Sequence, residues 1–469
     1  MDSIVPPNHP RFAVTNIQPI SKLRFDALAG YTRRPSIAFL VEELAWFSHA
    51  DGRVLGLVSM DRTDEDFGAI VLGRDGKNRF RCVDVIGYHD NPELVQQQLM
   101  EAMEQWSRRP NADFLQGDER GDPIDCFSPI VAAEKLSPAF LRLSTAEGFS
   151  CSRGLIEAMM SFYEDVDGNF VEQFQSTGFD SRFWELYLFA LLTEEGFVLD
   201  RSFSAPDFLC EGPIQDLFIE AVTVNPSRSG NLIIEPPIPT DAGELREYLR
   251  NYMPMKWGGA LTAKLRKEYW KLEHVTGKPI VLAIQDFHAP RAMTITHSTL
   301  EPYLYGFEFI AYHDAHGTLQ VKTSRIGDHK WKDKMIESGF FYLPGAEMIS
   351  AVIHNPIATL SKFNRMGRLA KFGSEAVKMI RRAIAYDPDP NASLPRICVQ
   401  GVDDASYSET WVEGLNVFHN PRAAYPLDER VFPAAMHHRL DGDHITHSIP
   451  PFHPYSAETV ILAPNRGES

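Results

Sequence analysis

Three acidic residues stand alone in apolar runs, and their spacing is the part of this sequence that could do chemistry. Glu185 is the only charge between Phe183 and Leu192, in a segment apolar on nearly every helical face. Such a helix is mostly buried, and a buried carboxylate needs a partner or a metal. Asp207 lies in Ala205-Pro206-Asp207-Phe208-Leu209, and Glu220 in Leu217-Phe218-Ile219-Glu220-Ala221-Val222-Thr223-Val224. Side chains alternate along a strand, so Phe218, Glu220 and Val222 share one face. Two carboxylates on adjacent strands of a hairpin can converge on one point. Hard divalent cations such as Mg²⁺ are held by one or two carboxylates with waters, carbonyls and phosphate oxygens. A metal there activates water and stabilises the charge of phosphodiester cleavage.

These residues carry a resemblance. Pro206-Asp207, then Glu220-Ala221-Val222 beginning 13 residues after the aspartate, with Glu185 on the preceding helix, resembles the PD-(D/E)XK nuclease superfamily. Its fold is restriction-endonuclease-like. The helix over 260–272, the Gly277-Lys278 turn and the strand over 279–287 match that family's order of elements, and the likeness covers about 170–360. It implies a nuclease in which Asp207 and Glu220, with the Ala221 carbonyl, hold Mg²⁺ or Mn²⁺. Glu185 is then an outer or second-metal ligand. One position departs: the motif lysine falls on Val222, and valine cannot position water or carry charge. A lysine from the following helix can stand in. Lys264 flanks the stripe set by Leu261, Leu265 and Leu272, and a long stem can carry its amine to the site edge. Val222 leaves a second reading open, the same fold as an inactive nucleic-acid-binding or protein-interaction module.

The chain has 46 Lys+Arg and 63 Asp+Glu, a net charge of −17, which argues against indiscriminate binding of nucleic acid. Residues 1–170 hold 26 acidic and 17 basic residues, so −9 of that charge lies there. Two segments run the other way. From Lys256 to Lys278 six basic residues face two acidic ones; from Ser361 to Ala383 seven face only Glu375. A groove lined by Lys267, Lys271, Arg365, Arg368 and Lys371 would attract a phosphate backbone, with DNA expected ahead of RNA. A homodimer is compatible with this reading.

Other chemistry is weakly supported. His437, His438, Asp441, Asp443, His444 and His447 cluster, but no H-E-x-x-H or cysteine partner accompanies them, so a solvated loop is expected. There is no G-x-S-x-G and no phosphate-binding glycine loop. The five cysteines form no C-x-x-C pair, which fits a reducing compartment. No basic and apolar leader opens residues 1–12, and no run approaches 18 apolar residues. A cytoplasmic protein with no membrane partner is expected.

The elements that must position the acids follow from period and turn residues. Residues 1–168 read as an α+β accessory domain. It holds short strands at 54–60, 67–72 and 80–86, then a helix capped by Asn91 and Pro92 with Leu94, Leu99, Met103 and Trp106 inward. Residues 169–360 read as the nuclease-like α/β domain: a helix over 180–195, strands 205–211 and 217–224, a helix over 260–272 and a strand over 279–287. A hairpin follows around Gly317, then a strand at 349–353. Residues 361–469 read as a basic helix, helical over 358–385, and an irregular, proline-rich extension packed on the core. The fold class expected is α/β within an α+β whole, a central mixed sheet flanked by helices.

Overall fold

The computed structural model describes residues 16–119, 123–165, 167–230, 232–389 and 391–464. The opening segment read for a leader lies outside them. The chain divides into two units, Met1–Pro123 and Ile124–Ser469. Both mix helices with sheets, so the whole is α+β.

The first unit is built on an antiparallel sheet, β1 (Ile17–Pro19), β2 (Val41–His49), β3 (Val54–Asp61), β4 (Phe67–Arg74) and β5 (Phe80–His89), in that spatial order. Asp75 with Gly76 and Asp61 with Thr63 make the turns that join β3–β5 into a meander. Short helices α1 (Lys22–Ala29) and α2 (Pro35–Ala38) precede β2, and α3 (Pro92–Ser107) follows β5. Asn91 caps α3 by accepting from the Glu93 and Leu94 amides. Its buried stripe is Val95, Leu99, Met103 and Trp106, at helical spacing; Val95, not Leu94, takes the first inward place. That stripe covers Val54, Val58, Ala69 and Val71 of the sheet.

The second unit begins with helices α4 (Pro138–Thr145), α5 (Ser150–Met160), α6 (Phe170–Gln175) and α7 (Phe179–Glu194). Strands β6 (Val198–Asp200), β7 (Phe208–Glu211) and β8 (Leu217–Val224) then run as an antiparallel meander. After the β9 (Ser227–Ser229) and β10 (Leu232–Ile234) hairpin come α8 (Ala242–Glu247) and α9 (Met253–Leu265). Strand β11 (Ile280–Asp286) returns parallel to β8, with Leu282 opposite Glu220. β11 is buried along its whole length and apolar from Ile280 to Ile284, as suits a parallel strand covered on both faces; only its end, Gln285 and Asp286, is polar. Helices α10 (Ala292–Thr296) and α11 (Leu300–Tyr305) lead to two hairpins, β12 (Phe307–His313) with β13 (Leu319–Arg325) and β14 (Asp328–Trp331) with β15 (Lys334–Glu337). Gly317, at φ +78°, makes the first turn.

The rest of the chain adds more to this sheet than an irregular extension would. Strands β16 (Ala351–His354), β19 (Asn416–His419), β20 (Met436–Asp441) and β21 (His444–Ser448) extend it to the order β21-β20-β19-β16-β11-β8-β7-β6. α12 (Leu360–Leu369), β17 (Lys378–Ala385) and β18 (Arg396–Gly401) come between β16 and β19, and β22 (Pro454–Leu462), after β21, joins β17 and β18 in a three-stranded sheet. The single basic helix expected over 358–385 is therefore a ten-residue helix followed by a strand. Lys371 and Gly373 take left-handed φ of 60° and 72° and end the helix. At Gly367 a Cβ would stand 2.2 Å from the Cys151 carbonyl oxygen, and at Gly373 2.4 Å from the Cys151 amide. Only glycine lets α12 and its exit pass this close to α5.

Candidate carboxylate site

Helices α7 and α9 lie on opposite faces of the central sheet. On β8, Phe218, Val222 and Val224 pack with Trp257, Leu261 and Leu265 of α9. Glu220 shares their face. On the other face, Ser181 of α7 hydrogen-bonds Thr223 at 3.1 Å, and the Trp184 indole donates to the Ala283 carbonyl of β11 at 2.8 Å. β7 pairs with β8 only from Cys210–Leu217 to Phe208–Ile219. Beyond Ile219 that edge of β8 has no β7 partner, and a cavity of about 300 Å³ opens there. Glu185 and Ser181 line it from α7, Asp207 and Ala221 from the hairpin, and Ala260, Ala263 and Lys264 from α9.

The structure brings Asp207, Glu220 and Lys264 together. The Lys264 ammonium donates to Glu220 Oε1 at 2.5 Å, and the Tyr269 hydroxyl donates to the same oxygen at 2.5 Å. The Ala221 amide donates to Asp207 Oδ2 at 2.7 Å. Glu220 is 4% exposed, so these donors replace lost water. Burial pushes the Asp207 carboxyl up to about 7, and the charges of Glu220 and Glu185 add to this; the Ala221 amide and Lys264 oppose it. Burial and Glu220 hold the Tyr269 hydroxyl far above its ordinary range, so it stays a donor.

Glu185 lines the cavity, but its carboxylate is already engaged. Tyr163 donates to Oε2 at 2.8 Å, Arg182 donates to both oxygens at 3.0 and 2.9 Å, and Arg201 stands 3.7 Å away. Among the described residues, Glu185, Asp207 and Glu220 do not make a three-ligand cluster. Glu185 therefore acts on the site through its charge.

The basic residues read from sequence separate. α9 ends at Leu265 rather than Leu272, because Glu268 turns left-handed at φ 50°. Lys267 and Lys271 are exposed beyond that end; Lys267 stands over the Tyr269 ring and Lys271 pairs with Glu268. The same bend delivers Tyr269 to Glu220. Arg365 and Arg368 cannot meet a phosphate backbone. Arg365 is fully buried and grips both oxygens of Glu409 at 2.8 and 2.7 Å, and Arg368 pairs with Asp403 at 2.7 Å. Lys371 is exposed.

A different set of cations stands beside the cavity. A groove of about 1470 Å³ shares Thr223 and Ala260 with it and is lined by Arg228, Lys256, Arg266, Lys332 and Lys334, against Glu235, Asp333 and Glu337. Arg228, Lys332 and Lys334 carry no sequence signal, because two hairpins far apart in the chain bring them together. Tyr269 looks like any core aromatic until the helix is seen to stop before it.

No protein-family model matches the chain, and neither a curated protein nor a solved structure matches it significantly.

Proposed function

We propose that this protein hydrolyses phosphodiester bonds of nucleic acid with a divalent metal, on a restriction-endonuclease-like core. The observation that carries the reading is the Lys264 ammonium on Glu220, beside Asp207. It supplies from α9 the positive charge that Val222 cannot. The order α7-β6-β7-β8-α9-β11, interrupted between β8 and α9 by the β9–β10 hairpin and α8, is an antiparallel meander followed by a parallel return and supports the fold assignment.

The donor set fits a hard cation. Asp207 and Glu220 each have one oxygen held by a protein donor and a second with no hydrogen bond among the described residues. Burial first, and then the charges of Glu220 and Glu185, raise the Asp207 carboxyl, and a cation bound beside it would offset both. Asp207 and Glu220, with the Ala221 carbonyl, would hold Mg²⁺ or Mn²⁺. When bound, the ion supplies Lewis-acid charge to the phosphate and lowers the pKa of a water. Lys264 places a second positive charge where negative charge grows in the transition state. Tyr269 fixes the Glu220 carboxylate, and Glu185 adds to the negative field that attracts a cation. Arg228, Lys256, Arg266, Lys332 and Lys334 neutralise backbone phosphates along the groove.

The test is cleavage of plasmid DNA and single-stranded RNA with Mg²⁺ or Mn²⁺, wild type against Asp207→Ala. The expected outcome is metal-dependent cleavage by the wild type, reduced at least 100-fold in the variant. Equal activity in both refutes the assignment. Binding without cleavage by the wild type favours the inactive module that Val222 leaves open.

A further inference from the structure

At the opposite side of the same sheet, β20 and β21 pair so that His438 and His447 are direct cross-strand partners. Such partners share one face, with Cβ atoms ~5 Å apart. Glu301 of α11 reaches both. Its Oε1 lies 2.7 Å from His438 Nδ1 and 2.7 Å from His447 Nε2. The three candidate ligand atoms all lie within 4.8 Å of one another.

Asn416 decides which nitrogen of His438 carries the proton. Its amide NH₂ donates to the carbonyls of Gly414 at 3.1 Å and His354 at 3.4 Å. Its Oδ1 therefore faces His438 Nε2, 3.0 Å away, and can only accept. Nε2 is the protonated nitrogen, so the lone pair of neutral His438 sits on Nδ1. That lone pair points at a carboxylate oxygen. Two acceptors 2.7 Å apart need a cation between them, either a second proton on the ring or a metal.

We propose that Glu301, His438 and His447 bind one Zn²⁺, or a divalent transition-metal ion of like chemistry. Two imidazoles and a carboxylate suit that class. Bonds of ~2.1 Å set tetrahedral ligand atoms ~3.4 Å apart, so the triad opens by ~0.7 Å to admit the ion. His447 is 35% exposed and His438 5%, which leaves the fourth position on the solvent side. The Asn416 contact fixes the ring of one ligand, as hydrogen bonds to metal-bound histidines do. The ion clips α11 to the β20–β21 hairpin. Tyr305, on the same helix, already donates to the His419 and His438 carbonyls at 3.0 and 2.8 Å. Three strands separate β20 from β8, ~19 Å at the usual strand spacing, so this site is independent of Asp207 and Glu220.

The test is Co²⁺ and Zn²⁺ titration of the chelator-stripped full chain, comparing wild type with His447→Ala and Glu301→Gln. His419, Glu429 and His437 form a second group of candidate ligands, so the count is read as a difference. His447 lies on an edge strand and is partly exposed, so its truncation leaves the fold intact, as circular dichroism will check. The wild type should bind one more tight equivalent than either variant. Its Co²⁺ form should show four-coordinate visible absorption that is weaker or absent in both variants, and Zn²⁺ should raise the Tm of the wild type more than that of either variant. The same stoichiometry and spectrum in all three proteins, or no tight metal in the wild type, overturns the proposal. The second result would mean that a proton fills the gap.

Discussion

Glu185, Asp207 and Glu220 are legible in the sequence because each interrupts an apolar run, and a buried charge must be compensated. Lys264 is legible from its place beside the core stripe of α9. What compensates Glu185 is less so: Tyr163 and Arg201 come from segments with no periodic tie to α7. Burial acts on another residue of that helix's end. Glu195 is pushed up to about 8, chiefly by desolvation and then by the charge of Glu194. Its ordinary value is 4.5, so the folded state holds the proton over a window in which the unfolded chain has lost it. Stability therefore falls as pH rises from about 4.5 to about 8. Thermal melts across that window should show Tm decreasing in the wild type, and a shallower decrease in Glu195→Gln. Equal slopes would contradict the shift.

At the scale of elements, period and capping carry most of the information. The β3–β5 meander, the Asn91 cap, α7, β8 and β11 are readable because their apolar residues recur at 3.6 or at 2, or run unbroken where both faces are covered. The segment 361–385 is not. Lys362, Arg365 and Arg368 recur at helical spacing, and so read as a solvated basic face. In the structure they face inward, because acids from later in the chain supply their counter-charge: Glu409 for Lys362 and Arg365, and Asp403 for Arg368. Glu409 also accepts from Tyr407 at 2.6 Å and lies 3.9 Å from Arg381. Nothing local in the sequence signals that acid. Removing its charge strands buried guanidinium groups, which costs about 3–5 kcal/mol. Glu409→Gln should lose about that much in urea unfolding followed by circular dichroism. A loss below about 1 kcal/mol would show that water already compensates these cations. The solvated loop expected over His437–His447 is instead two paired strands, β20 and β21, because cross-strand pairing and Glu301 of α11 hold polar residues that show no apolar period.

Across the whole molecule, the net charge of −17 hides a division of labour. Residues 1–170 hold −9 of it, while the groove beside the carboxylate cavity gathers five cations from α9 with its C-cap and from two hairpins, β9–β10 and β14–β15. Composition could exclude a uniformly basic surface but could not place that groove, since its cations are spread from Arg228 to Lys334. No helix among the described residues is long and apolar enough to cross a membrane. The proposed activity requires Asp207 and Glu220 to face one divalent ion with Lys264 beside it. The most direct measurement is anomalous diffraction from crystals soaked in Mn²⁺. A peak ~2.1 Å from one oxygen of each carboxylate is expected. Anomalous density elsewhere, with none between these two carboxylates, would contradict it.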